Sequence, residues 1–418
     1  MSEDGTEQAA NRTAPGGAMG MMTNWKVLIV SLMAWTLTNM DQAFFGYAIP
    51  GILAEFELPL EAVGIILTVS FVIASILLVF AGHAADRFGR GPMLSLYLAV
   101  SALLVGLQGF AGGIIVLTLF RAFGFGISTG LSPITNAYVA ENVVPRVRGL
   151  AMGVLQCGYP LGWFLASMFA VPLLADYGWR AMCFAAFLVI PIAGIFYWLL
   201  RNEPDIKPPE KTSDSPGAIR VLFSKAHRRK SFASIVTYFA FGGAYAGSAF
   251  FFPTFFTEVR GYTPSEAAEL VGMSNGIGIG GYLVAAFVGE YFITRRNVFI
   301  IWALGGTLAL AGLMWLPESR LEDTIWYAAT AALFYGSLAV LPVLIAEIFP
   351  QEVRASALSA CASAPLSLGF AIFPLVVPTV VGAVGWQLGF TVVICPLLLI
   401  AAVAALFLPN RKSGIGME

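Results

Sequence analysis

Two charges in this 418-residue chain lie inside long apolar stretches: Asp41 within 25–47 and Arg121 within 114–140. No other Asp, Glu, Lys, Arg or His sits so deep in such a stretch. A charge in hydrocarbon is costly enough that function is its default explanation. A buried guanidinium offers a planar fork to a carboxylate, and a buried carboxyl group can take up and release a proton. Asp41 lies 15 residues beyond Lys26, about 22 Å at helical rise, and Arg121 lies 8 residues beyond Gly113, about 12 Å from the opposite boundary. Across roughly 30 Å of hydrocarbon their depths differ by about 4 Å, which allows a direct or substrate-bridged pair if their helices face one cavity. The structural alternative is that two buried charges neutralise one another and pin two helices.

Helical spacing supplies the neighbours. Arg121, Phe125, Ser128, Ser132 and Thr135 follow steps of three and four residues, which puts the polar side chains of that helix on one stripe. Thr38, Phe44 and Phe45 flank Asp41 in the same way. Gln156, Tyr159 and Trp163 align in a later helix, and Tyr238, Phe241 and Tyr245 in another, with Asn275 and Tyr335 as further polar candidates. One cation, one acid, hydrogen-bonding tips and many aromatic faces suit a small organic anion, aromatic ones included. Plain packing is the competing reading of the aromatic stripes. His83 and His227 fall outside the apolar stretches, so Asp41 is the buried group left to carry a proton, with burial favouring its neutral form and Arg121 its charged one.

The elements that must position these residues are membrane spans. With 58% hydrophobic and 11% charged residues the chain cannot cover a soluble core with polar surface. A span needs about 20 residues, and twelve runs qualify: 25–47, 63–81, 92–110, 114–140, 149–175, 181–200, 232–256, 270–292, 298–316, 325–345, 355–380 and 386–408. Of the 23 Lys and Arg, only Arg180, Arg260 and Arg320 fall in loops on one side, which makes that side external and both termini cytoplasmic in a multi-pass plasma (inner) membrane protein. The polar segment 1–24 reads as a disordered cytoplasmic tail, 25–200 as a first six-helix bundle, 201–230 as a basic cytoplasmic linker, 231–409 as a second bundle and 410–418 as a tail. The linker's end, 217–230, has the composition of a basic amphipathic helix on the inner leaflet or of a solvated linker. A net charge of -1 argues against nucleic acid, and the four cysteines lie inside apolar runs. No metal-ligand spacing, nucleophile elbow or phosphate loop is present, the glycines of 276–281 lie in a span, and no cofactor is expected.

The two halves repeat. Glu141 and Arg148 are seven residues apart, as are Glu347 and Arg354, and Gly82 and Gly289 are 207 apart. The loop after the second span reads Gly82-His-Ala-Ala-Asp86-Arg87-Phe-Gly89-Arg90, which resembles the G-x-x-x-D-R-x-G-R signature of the major facilitator superfamily. The resemblance runs from Trp25 to Leu408 and implies an all-α membrane protein of twelve transmembrane helices in two pseudo-symmetric six-helix bundles, with a site between them. It further implies that the loop is a latch in which the glycines close a tight turn, Asp86 meets a helix end or an arginine, and Arg87 and Arg90 stay at the inner leaflet. The matching loop, Gly289 to Arg296, lacks the aspartate, so any second latch is weaker. Glu141 with Arg148, and Glu347 with Arg354, are expected to form conformational salt-bridge clusters.

Asp41, the 121–126 stretch and the 251–256 stretch look most like the proton-coupled organic-acid symporters, including aromatic-acid and sialate-type carriers, although one acid replaces their usual two in the first span. The expectation is a monomeric secondary transporter, not an enzyme, moving an organic carboxylate with protons by alternating access. Proton antiport of drugs or metabolites is the alternative; a sensor or a membrane enzyme fits less well.

Overall fold

The computed structural model describes residues 23–203 and 217–410. The first half contains α1 (Trp25–Phe56), α2 (Leu60–Phe88), α3 (Arg90–Gln108), α4 (Ile114–Thr129), α5 (Leu131–Asn142), α6 (Pro145–Gln156), α7 (Gly158–Asp176), α8 (Trp179–Ala185) and α9 (Val189–Leu200). The second contains the short α10 (Gly217–Leu222), then α11 (Arg228–Ala246), α12 (Phe252–Val259), α13 (Pro264–Tyr291), α14 (Arg295–Trp315), α15 (Arg320–Leu333), α16 (Leu341–Ile348), α17 (Gln351–Ala357), α18 (Ala364–Val384) and α19 (Trp386–Ala405). Several pairs stack end to end, so that α4–α5, α6–α7, α8–α9, α11–α12, α15–α16 and α17–α18 each make one column, giving twelve columns among the described residues. Ten are long and apolar enough to cross a bilayer by length and composition. The other two are α1, with Asn39, Asp41 and Gln42 at its middle, and the seventh column, broken at Gly247–Phe251.

Local sequence explains where the columns start and turn. Thr263 and Glu266 form a capping box either side of Pro264, and Ser319 caps α15 through the Glu322 amide. Between α2 and α3 the chain turns on Gly89, whose φ of 96° is one that side chains with a Cβ rarely adopt. Gly82 does not share that task. It lies within α2, and a Cβ placed on it would meet nothing within 4 Å, so one glycine of the loop signature closes the turn and the other does not.

Asn24 caps α1 through the Val27 amide and also donates 2.6 Å to Glu203, which accepts 2.7 Å from Lys26, tying the start of the first column to the end of the sixth. The end of the molecule that carries these residues is called the near end. At the opposite, far end Glu55 accepts from the Trp179 indole at 2.7 Å and pairs with Arg180 at 2.6 Å, while Glu258 accepts from the Trp386 indole at 2.8 Å. Each tryptophan follows a glycine with positive φ, Gly178 or Gly385, so the same clasp joins the first and sixth columns of both halves.

Two seams join the halves: α2 against α18 and α7 against α13. Both are closed in the far half of the columns. A Cβ on Gly64 would lie 2.3 Å from the Pro374 carbonyl oxygen, and one on Gly272 would lie 1.8 Å from the Ser167 hydroxyl. Thr68 donates to the Ala371 carbonyl and Ser265 to the Val171 carbonyl along the same seams.

The end of the basic linker, 217–230, is not one continuous helix. Among its described residues, only Gly217–Leu222 is helical before α11 begins at Arg228, and the Ser231 hydroxyl donates to the Leu222 carbonyl to fold the segment against α11. The tails at 1–22 and 411–418 and the linker stretch 204–216 lie outside the described residues.

Candidate functional site

Arg121 and Asp41 are both buried, each 1% exposed. The direct ion pair that their depths allow is not made. Both Asp41 oxygens, and the Nε and Nη2 of Arg121, lack hydrogen-bond partners. The guanidinium instead lies among rings, 4.2 Å from the centroid of Phe45, 4.7 Å from Phe125 and 6.0 Å from Phe250. Phe45 comes from α1 and Phe125 from the turn of α4 above Arg121, as helical spacing requires. Phe250 comes from the other half, carried in by the break in the seventh column.

The rings continue across the molecule. Phe71 packs edge-on to Phe125 and to Phe370, with centroids 5.0 Å apart in both cases, and Phe370 stacks on Tyr245 at 5.8 Å. Tyr245 meets Tyr159 at 5.7 Å and Tyr335 at 5.0 Å. Trp163 sits against Phe250 and accepts, through its carbonyl, a 3.0 Å hydrogen bond from Tyr47. A Cβ on Gly46 would lie 3.2 Å from the Trp163 ring, so that glycine admits the indole.

Polar tips without partners accompany this lattice. The hydroxyls of Ser128, Tyr245, Tyr282 and Tyr335 and the indole nitrogen of Trp163 are buried and make no hydrogen bond. Buried polar groups are ordinarily satisfied. Buried donors left open in this way can be satisfied by a ligand or by water.

Other expected residues are less central. Tyr238 is buried with an unpartnered hydroxyl but forms none of the ring pairs found among the described residues. Phe241 packs on Phe334 and Phe299, behind Tyr245. Asn275 is buried and donates to the Val271 carbonyl one turn back on its own helix. Gln156, half-buried, is the last residue of α6, at the joint with α7. Sequence spacing alone missed Phe71, Phe250 and Phe370, because they reach the site through contacts between columns and one helix break.

The near-end charges pair differently from their spacing. Arg90 is buried and binds Glu141 at 2.6 Å and Asp86 at 3.4 Å, joining the loop signature to the fourth column. Arg87 lies over Phe88. The side chain of Arg148 lies outside the described residues. In the second half Glu347 pairs with Arg295, which also binds Glu290. The expected partner, Arg354, leaves its Nε without a hydrogen bond, so the Glu347–Arg354 pairing is corrected to Glu347–Arg295. The reason is topological: Arg295 opens α14 beside the end of α16, where Glu347 lies. Gly289, close to Arg295 and Val340, lies inside α13 rather than in a turn.

The comparisons agree with this architecture. The chain is 24% identical over 406 residues to the cis,cis-muconate transport protein of Acinetobacter baylyi, covering 93% of this chain and 95% of that one. It is 25% identical to the gallate transporter of Pseudomonas putida, with 80% and 81% covered. These relatives are named as transporters, not enzymes. Its fold matches the inward-facing crystal structure of a bacterial homologue of the human lysosomal transporter Spinster, with a TM-score of 0.73 at 19% identity, covering 91% of this chain and 95% of that one. The family model for the Major Facilitator Superfamily matches residues 28–342, and with the twelve columns in two halves this establishes the chain as a member of that superfamily.

Proposed function

We propose that this transporter carries a small organic carboxylate, aromatic or otherwise unsaturated, together with protons, from the external side to the cytoplasm. The observation that carries the reading is Arg121: a fully buried guanidinium, unpartnered at Nε and Nη2, held by rings rather than by a carboxylate. A buried cation that no carboxylate contacts directly is expensive, and an incoming carboxylate removes that cost with two charge-assisted hydrogen bonds. The ring lattice from Phe45 to Tyr335 gives an aromatic or conjugated body faces to lie against, and the unpartnered tyrosine hydroxyls give its distal oxygens donors. Relatives named for muconate and gallate support the same class.

Asp41 is the proposed proton carrier, its two oxygens unpartnered in the same buried region. Taking up a proton removes a buried charge that no hydrogen bond satisfies. Seams closed in their far halves, glycine against backbone and hydroxyl, support an inward-facing stage of an alternating cycle in which the halves rock about the site. Positive charge at the near end supports cytoplasmic termini.

The deciding experiment is proton uptake into proteoliposomes, followed with an internal pH dye as aromatic acids, sugar acids, short carboxylates or cationic drugs are added outside. Acidification by one acid class, lost in both Arg121→Ala and Asp41→Asn, is the expected result. Cationic drugs driving protons outward, with Arg121→Ala still active, would overturn it in favour of exchange.

A further inference from the structure

An apolar groove lies on the outer surface of the second half, lined by none of the residues of the ring lattice. It runs between α11 and α19, encloses about 550 Å³ and is lined by Phe232, Val236, Ile400, Val403 and Phe407, with Arg229 at its mouth. All of these side chains are exposed in the isolated chain, as residues facing lipid would be. From Arg229 to Val236 the groove follows α11 for seven residues, about 10 Å into the hydrocarbon from the near-end boundary.

The mouth is basic and uncompensated. Arg229 stacks over Phe407, 5.4 Å from its centroid, and has no carboxylate partner among the described residues. Arg296 reaches the same end of the twelfth column, donating to the carbonyls of Leu406 and Leu408. Stacking on Phe407 holds the Arg229 guanidinium beside a slot with apolar walls, at the end of the columns that the charge bias assigns to the inner headgroups. We propose that this groove is a binding site for one anionic phospholipid, its phosphate on Arg229 and one acyl chain between α11 and α19. Charge selects the lipid: a zwitterionic headgroup places a cation beside its phosphate, whereas phosphatidylglycerol leaves the negative charge free for Arg229.

The test is lipid retention by the purified full-length chain, which is independent of transport and so of the substrate reading. Delipidated protein in mild detergent is titrated with phosphatidylglycerol or phosphatidylcholine and weighed intact by native mass spectrometry. The expected result is one tightly held phosphatidylglycerol, with retention reduced about fivefold in Arg229→Gln, as one basic residue at a charged headgroup predicts. Arg229→Lys should keep most of it, Val236→Trp should lose it by filling the groove, and Arg220→Gln, an exposed basic residue on α10, should match the parent. Equal retention of phosphatidylcholine, an equal loss in Arg220→Gln, or a dimer displacing lipid in the parent would each overturn the site.

Discussion

Arg121 illustrates how far residue chemistry can be pushed before geometry is needed. Its burial and its partnership with Phe125 follow from spacing along one helix, whereas Phe45 and Phe250 beside it depend on where α1 and the broken seventh column come to rest. Arg121→Lys keeps the charge but loses the planar fork, so radiolabelled uptake should fall at least tenfold at low substrate, mostly through KM, and Arg121→Gln should show none. Asp41→Asn should separate binding from coupling. Counterflow of labelled substrate persists, while accumulation driven by a pH gradient disappears; loss of both would remove Asp41 from the proton path. Asp41 was legible as an isolated buried acid, but its lack of any hydrogen-bond partner was not. Depth arithmetic fixes height in the membrane and says nothing of the angle at which two helices face.

At the scale of elements, the apolar runs located the columns well because hydrocarbon tolerates only helices with their backbone groups paired internally. What the runs could not show is where a column breaks, since Gly247–Phe251 is as apolar as its flanks. The Glu347–Arg354 spacing misled for a related reason: equal separations along the chain do not guarantee equal neighbours once helices cross. Gly64 gives a direct test of the closed seam. Gly64→Ala would drive a Cβ into the Pro374 backbone, so spin labels at Glu61 and Gly382 should report a population with the far ends further apart, and unchanged distances would show the seam to be yielding. Glu203 offers a milder probe at the near end. Hydrogen bonds from Lys26 and Asn24 hold its carboxyl below the ordinary value of 4.5. A depressed folded value stabilises above the unfolded one and is lost as pH falls through the folded one. The thermal midpoint of Glu203→Gln should therefore lie below the parent at pH 7, by an amount kept small by solvent screening, and the two should converge as the pH drops through and below 4.5.

For the whole molecule, the repeat was visible in the Glu/Arg loops and understated there. Its plainest expression is the pair Gly178-Trp179 and Gly385-Trp386, also 207 apart, each tryptophan bound to a glutamate that ends the first column of its half. Trp179→Phe and Trp386→Phe each remove one indole donor. Each should lower thermal stability by about 0.5–1 kcal/mol, and because they belong to different halves the losses should add within about 0.5 kcal/mol. A loss in the double variant well beyond the sum would show the halves to be coupled through their rims. Each clasp turns a row of six helices into a hoop, and a hoop resists splaying. In the proposed symport cycle, substrate pulling on one side of such a body moves the other side instead of being absorbed as slack, so loosened rims should let protons slip across without cargo while affinity for the cargo stays the same.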